Sequence, residues 1–101
     1  MQLKDLIELG DVNEMQAFAY LSYLNGKVPE EEMQKSVDVY CENLASSFVE
    51  KYQDVLQDEE LLIKLRRYIS SIHSDKPHSG HRFYEALYKR LAEFVPSAEK
   101  Q

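Results

Sequence analysis

Residues that crosslink or interrupt a chain are scarce in this sequence. The single cysteine, Cys41, excludes an internal disulfide, and there is no tryptophan. Three glycines and three prolines among 101 residues exclude collagen-like and low-complexity chains. The composition is 44% hydrophobic and 30% charged, which is typical of a folded globular chain with one core.

Long hydrophobic runs are also missing. The longest apolar-rich stretch, from Ala17 to Leu24, is interrupted by a serine and is far shorter than the roughly 20 residues needed to cross a bilayer. The first residues lack the apolar core of a signal peptide. The sequence therefore predicts a cytoplasmic protein with no membrane contact. We expect no cofactor and no enzymatic activity, because neither a glycine-rich phosphate loop nor an ordered catalytic triad is present.

Hydrophobic spacing by threes and fours predicts an all-α fold, a compact antiparallel bundle of four to five helices with one long central helix. Residues 1 to 95 are expected to form a single domain and residues 96 to 101 a frayed tail. Gly10 predicts the end of a short first helix over residues 2 to 9. A second helix, capped by Asp11 or Asn13 and ending at Asn25-Gly26, has little polar face and is expected in the middle of the bundle.

The third helix is predicted to be the longest. Pro29, three glutamates and the hydrophobic pair Val28 and Met33 are typical of a helix start. Apolar residues then recur up to Leu56, which predicts about 28 residues with a weak point at Ser46-Ser47. Asp58 is expected to cap a fourth helix that ends near residue 74, and a fifth runs from about residue 80 to Pro96.

Charge is divided unevenly along the chain. The net charge is −6, but residues 1 to 60 carry 14 acids and four bases, whereas residues 61 to 101 carry four acids and eight bases. One interpretation is that the acidic and basic helices neutralise each other inside the bundle. The other is that an acidic face on the third helix stays exposed and steers a basic partner protein. Its predicted partner-binding residues are Asp38, Glu42, Glu50 and Asp54, with Tyr20 or Tyr23 as an aromatic anchor.

Helices four and five supply an alternative, basic surface. Arginine and lysine alternate there with tyrosine, a combination that can stack on bases or seat an acidic partner. The residues of this basic aromatic patch are Arg66, Arg67, Tyr68, Tyr88, Lys89 and Arg90. Direct nucleic-acid binding by the whole chain is disfavoured because its net charge has the wrong sign.

All three histidines fall within nine residues. His73, His78 and His81, together with Asp75, combine imidazole and carboxylate groups that suit zinc or nickel. Their spacing matches no standard metal motif, so a polar loop between helices is the favoured interpretation and no metal is expected.

Arg67 and His73 are separated by five residues near the end of the fourth helix. This arrangement resembles the R-x4-6-H pattern of HEPN ribonucleases, which are also helical bundles. The resemblance covers seven residues, and Tyr68 stands where that family often has a polar residue. It implies acid/base chemistry for His73 and stabilisation of phosphate charge by Arg67.

These observations favour a small acidic protein that binds a macromolecule, of the inhibitor, immunity or antitoxin type, whose surface covers a basic surface of its partner. In size, helicity and sign of charge the chain resembles small bacterial immunity proteins. A structural homodimer or adaptor is the alternative, because acidic and basic halves of two copies could pair across a twofold axis. A ribonuclease or metal-binding protein that uses Arg67 and His73 is the second alternative.

Overall fold

A computed structural model of the chain describes residues 1–75 and 82–94. Its elements are α1 (Leu3–Leu24), α2 (Glu30–Lys51), α3 (Gln53–Leu56), α4 (Glu59–Asp75) and α5 (Arg82–Leu91), followed by a 3-10 turn (Ala92–Phe94). These described residues contain no strand, and the predicted all-α bundle is confirmed. The predicted tail, residues 96 to 101, lies outside the described part of the chain.

The first two predicted helices are a single helix, and the prediction that Gly10 ends a helix is wrong. Helix α1 is 22 residues long and continues through Gly10 without a break. Gly10 is buried, and a Cβ at this position would lie 2.6 Å from the Tyr84 hydroxyl oxygen of α5. The glycine therefore permits close approach of α5 rather than a left-handed turn.

The predicted third helix is two helices. Its start is confirmed, because Pro29 precedes α2 and Val28 packs against the cluster that contains Met33. Helix α2 continues through the predicted weak point at Ser46-Ser47 to Lys51, and the backbone leaves helical geometry at Tyr52 (φ −109°, ψ 25°). This break turns α3 toward α4 and buries Leu56, which is 1% exposed. Burial of that leucine side chain stabilises the fold by about 1.5–3 kcal/mol relative to its exposure.

Helix α4 begins as predicted. The Asp58 carboxylate accepts hydrogen bonds from the backbone N–H groups of Glu60 (3.1 Å) and Leu61 (3.3 Å). This is the N-cap arrangement that satisfies the first orphan donors of a helix. The apolar residues Leu62, Leu65 and Ile69, spaced by three and four, lie inward and are fully buried.

The most deeply buried helix is α5, which packs against α1, α2 and α4. Its apolar residues Phe83, Tyr84, Leu87 and Leu91 are each at most 1% exposed. The prediction that residues 11 to 25 occupy the middle of the bundle is therefore wrong. That segment is the C-terminal part of α1, an outer helix with Met15 72% and Phe18 69% exposed.

Two neighbouring clusters make up the core of the elongated molecule, which measures 44 × 25 × 20 Å. The larger cluster joins α4 and α5 to α1 and α2, and the smaller one joins Ala17 of α1 to Met33, Val37 and Cys41 of α2. Among the described residues, no helix combines the length and the apolar character needed to span a bilayer.

Candidate functional site

The predicted acidic face on α2 is partly neutralised where α5 packs beside it. Arg82, the first residue of α5, donates a hydrogen bond from Nη1 to Asp38 Oδ1 at 3.2 Å and a second from Nη2 to Gln34 Oε1. Asp38 is exposed while Arg82 is half-buried. Part of the negative charge at Asp38 is thus compensated within the chain.

A groove of about 430 Å³ separates the exposed edges of α2 and α5. It is lined by side chains of both positive and negative charge, which can form ion pairs with a charged ligand. Its ionisable lining residues are Asp38, Glu42, Arg82, Glu85, Lys89 and Arg90. Glu50 and Asp54 do not line this groove, so the four predicted acidic contact residues do not form one continuous site.

The remaining predicted carboxylates are open to solvent. Glu42, Glu50 and Asp54 are all exposed. Within residues 1–75 and 82–94, no lysine or arginine forms a salt bridge with any of the three. Their charge is available to a partner.

The two tyrosines proposed as anchors differ in accessibility. Tyr20 is half-buried between α1 and α2, where its ring lies 4.6 Å from that of Tyr40. Tyr23 is 61% exposed. Lys27 Nζ lies 3.9 Å from the Tyr23 ring centroid and donates a hydrogen bond to the Tyr23 carbonyl oxygen at 3.1 Å. Tyr23 is therefore the better placed of the two to contact a partner.

A carboxylate from α1 caps the start of α5. The two Glu14 side-chain oxygens accept hydrogen bonds from the backbone N–H groups of Phe83 (3.3 Å) and Tyr84 (3.1 Å). Burial raises the pKa of Glu14 above its usual value of 4.5, although the hydrogen bonds from Tyr84 and Phe83 oppose this shift. This contact fixes the register between α1 and α5.

Tyr84 makes a second polar connection between the same helices. Its hydroxyl lies 2.6 Å from Asp11 Oδ1 and 3.0 Å from the Ile7 carbonyl oxygen, and the single hydroxyl proton is shared between these two acceptors. Burial, followed by the interaction with Asp11, raises the pKa of Tyr84 well above its usual value. The hydroxyl therefore stays protonated and acts as a structural donor.

Two residues of the basic aromatic patch, Arg66 and Tyr88, contact each other, whereas the others have different surroundings. The Arg66 guanidinium lies 5.1 Å from the Tyr88 ring, and its Nη2 donates to the Tyr88 hydroxyl at 3.5 Å. Tyr68 instead packs edge-on against Tyr84, with the ring centroids 6.0 Å apart, and burial raises its pKa. Lys89 and Arg90 line the groove beside α2. Arg67 is exposed on α4.

The histidine-rich segment lies mostly outside the described residues. His78 and His81 fall within the undescribed stretch, and the side chains of His73 and Asp75 are not described although both residues belong to α4. Both the metal site and the Arg67–His73 pair therefore stay predictions. Among the described residues, no group of three histidine, cysteine or carboxylate side chains is arranged to hold a metal ion.

Cys41 is buried between α2 and α1, in the smaller core cluster. Burial raises the pKa of its thiol from 9.0 to about 11, with a further contribution from Glu14. A protonated thiol is a poor nucleophile at neutral pH, so Cys41 acts as a small core residue.

Sequence reasoning missed an exposed apolar surface on α1. Four of its large hydrophobic side chains, Val12, Met15, Phe18 and Tyr23, are more than half exposed. Because residues 11 to 25 show no obvious polar side, their hydrophobic spacing predicted a helix that is buried on every side. An available signal was the run from Met15 to Gly26, which contains no acidic or basic residue and lies between acidic stretches.

Comparisons with protein-family models, with curated proteins and with solved structures give no match to this chain. The functional argument therefore depends on the surfaces of the molecule itself.

Proposed function

We propose that this protein binds a basic partner protein through exposed carboxylates and acts as an inhibitor, immunity or antitoxin-type protein. The single observation that supports this proposal best is the exposure of Glu42, Glu50 and Asp54 without a cationic partner among the described residues. Uncompensated charge of one sign attracts a partner of opposite charge and accelerates its association.

The overall charge supports the same direction. The chain carries a net charge of −6, and its cations on α5 lie mainly beside α2, where Arg82 already pairs with Asp38. Among the described residues, no lysine or arginine pairs with Glu50 or Asp54 in competition with a basic partner. We expect the contact to be sensitive to salt because exposed charge pairs are screened.

The test compares two charge-matched variants. Glu42→Gln with Glu50→Gln removes two negative charges from α2, and the control, Glu59→Gln with Glu60→Gln, removes two exposed negative charges from the first turn of α4. Proteins captured from the native host at low salt are identified, and the affinity of each purified basic candidate for both variants is measured. We expect a basic partner that binds the wild-type chain saturably. Its affinity should fall about tenfold for the α2 variant, a loss of about 1.4 kcal/mol of binding free energy, and much less for the control.

The proposal fails if no purified basic protein binds the wild-type chain saturably. It also fails if the two variants lose affinity equally, because net charge and not the α2 surface would then explain binding.

A further inference from the structure

The exposed apolar side chains of α1 form a continuous surface. We define the α1 outer face as Val12, Met15, Phe18, Ala19 and Tyr23, all of which are exposed. Positions 12, 15, 19 and 23 follow one another by three and four residues, and Phe18 is the i+3 neighbour of Met15, so the side chains share one side of the helix. Contiguous apolar patches on the surface of a folded monomer are often binding sites.

Size and shape suit a partner helix. From Val12 to Tyr23 the face extends about 16 Å, or about three turns at 1.5 Å rise per residue. Ridges made by side chains three and four residues apart are the surfaces that helices use to pack against each other. Beside Val12, a shallow groove of about 300 Å³ between α1 and α2 is lined in part by Leu9 and Leu44. Lys51 also lines this groove, and its Nζ lies 5.5 Å from the centroid of the Tyr52 ring.

Part of the surface is ordered in advance. Tyr23 is held by Lys27, which contacts both its ring and its carbonyl oxygen. A side chain that is already fixed loses less conformational entropy when a partner covers it. Tyrosine is also one of the residue types most often responsible for binding energy at interfaces.

The charges around the α1 outer face decide which kind of helix fits. Glu8, which is exposed, continues the face toward the N-terminus of α1, whereas the carboxylate of Asp11 at its edge is bonded to the Tyr84 hydroxyl. Helix α1 contains four acids and one base, a net charge of −3, and Lys27 lies over Tyr23 at the C-terminal end of the face. A second copy would bring the same negative charge to the interface, whereas a helix bearing lysine or arginine would complement it.

We infer that the α1 outer face docks the apolar side of a basic amphipathic helix presented by the partner. This inference rests on the proposed function and adds to it the partner's secondary structure and the apolar contact. In this arrangement Met15 and Phe18 contact the apolar stripe of the partner helix, and carboxylates around the face pair with its cations.

The experiment uses three synthetic peptides of about 18 residues and the full chain. The first peptide has leucines at helical spacing with lysines elsewhere, the second has the same composition in scrambled order, and the third has glutamate in place of lysine. Affinities are measured by fluorescence anisotropy, and the binding site is mapped by amide chemical shifts. The expected result is that the first peptide binds about tenfold more tightly than either other peptide and shifts α1 amides.

Two surface variants identify the contact. Met15→Ser with Phe18→Ser removes the centre of the α1 outer face, and Val39→Ser removes an exposed apolar side chain from α2 as the control, since Val39 is 55% exposed. Circular dichroism and thermal unfolding check that each variant folds. The expected result is a loss of about tenfold or more in affinity for the first peptide in the α1 variant and little change in the control.

Several results overturn the inference. It fails if the scrambled or glutamate peptide binds as well as the first, or if Met15→Ser with Phe18→Ser leaves affinity unchanged. It also fails if sedimentation shows a dimer that this variant dissociates, because a second copy then covers the face. A natural partner sensitive to Glu42→Gln with Glu50→Gln but not to the α1 variant would support the proposed function while rejecting this inference.

Discussion

Replacing Gly10 by alanine tests how α1 and α5 fit together. The added Cβ would lie 2.6 Å from the Tyr84 hydroxyl oxygen, 2.7 Å from Cε1 and 2.9 Å from Cζ. Tyr84 is 1% exposed and its hydroxyl is held by Asp11 and Ile7, so the ring has little room to move away. Either the helices separate or the tyrosine loses its hydrogen bonds.

The expected magnitude follows from three contributions. Overpacking in a core costs about 1–3 kcal/mol. Displacement of the Tyr84 hydroxyl loses about 1 kcal/mol of hydrogen bonding. Alanine recovers about 1 kcal/mol through its higher helix propensity. Gly10→Ala should therefore lower the free energy of unfolding by about 1–3 kcal/mol, with a fall of at least about 4 °C in Tm.

Urea denaturation and thermal unfolding measure this change. Ser22→Ala is the matched control, because Ser22 is exposed on the same helix and gains helix propensity without a clash. In a Tyr84→Leu background, where the aromatic ring is gone, Gly10→Ala should be neutral or stabilising. If Gly10→Ala is as stable as the wild-type chain, the close approach of α5 to α1 described above is incorrect.

Three further predictions concern single residues. Because burial raises the folded-state pKa of Glu14 above its usual 4.5, the carboxyl binds its proton more tightly in the folded state, and its contribution to stability declines as pH rises through that range. The free energy of unfolding of the wild-type chain relative to Glu14→Gln should accordingly fall from pH 4 to 7 in urea titrations; a flat or rising difference would contradict the burial. Asp58→Ala should lower the free energy of unfolding by about 1 kcal/mol through loss of the α4 cap, whereas Asp58→Asn should retain most of it. The Cys41 thiol, with its pKa raised to about 11, should react slowly with a disulfide reagent at pH 8 until urea unfolds the chain, and rapid reaction of the folded protein would show that the thiol is accessible.

Helix starts that depend on local chemistry were predictable. Pro29 before the three glutamates and Asp58 before two more carry their own capping and dipole signals, and both helices begin there. The core stripe of α5 was predictable for a similar reason, since the spacing of Phe83, Tyr84, Leu87 and Leu91 indicates one face directly.

Gly10 and Tyr52 show where local reasoning fails. Glycine is compatible both with a helix end and with close packing inside a helix, and the choice depends on Tyr84, which lies 74 residues away in the chain. Tyr52 follows a regular apolar spacing that predicts a continuous helix. The helix ends there because α3 turns to bury Leu56 against α4, a gain that local spacing does not reveal.

The candidate site was predictable in composition but not in arrangement. An excess of carboxylates in the first 60 residues is visible in the sequence, whereas the pairing of Asp38 with Arg82 arises from packing of α5 beside α2. Met15 and Phe18 are exposed although the sequence predicted their burial, since hydrophobic residues around a helix ordinarily indicate a buried helix.

The amino-acid sequence alone determined that this chain is helical, that two of its helices start at Pro29 and Asp58, and that its first half is strongly acidic, because capping, spacing and charge are local properties. Tertiary structure decided that α5 packs against three other helices, that α1 passes Gly10 without interruption, and that Met15 and Phe18 of α1 are exposed. These outcomes depend on how helices distant in the chain compete for the same buried surface, and such competition is settled only when they pack together.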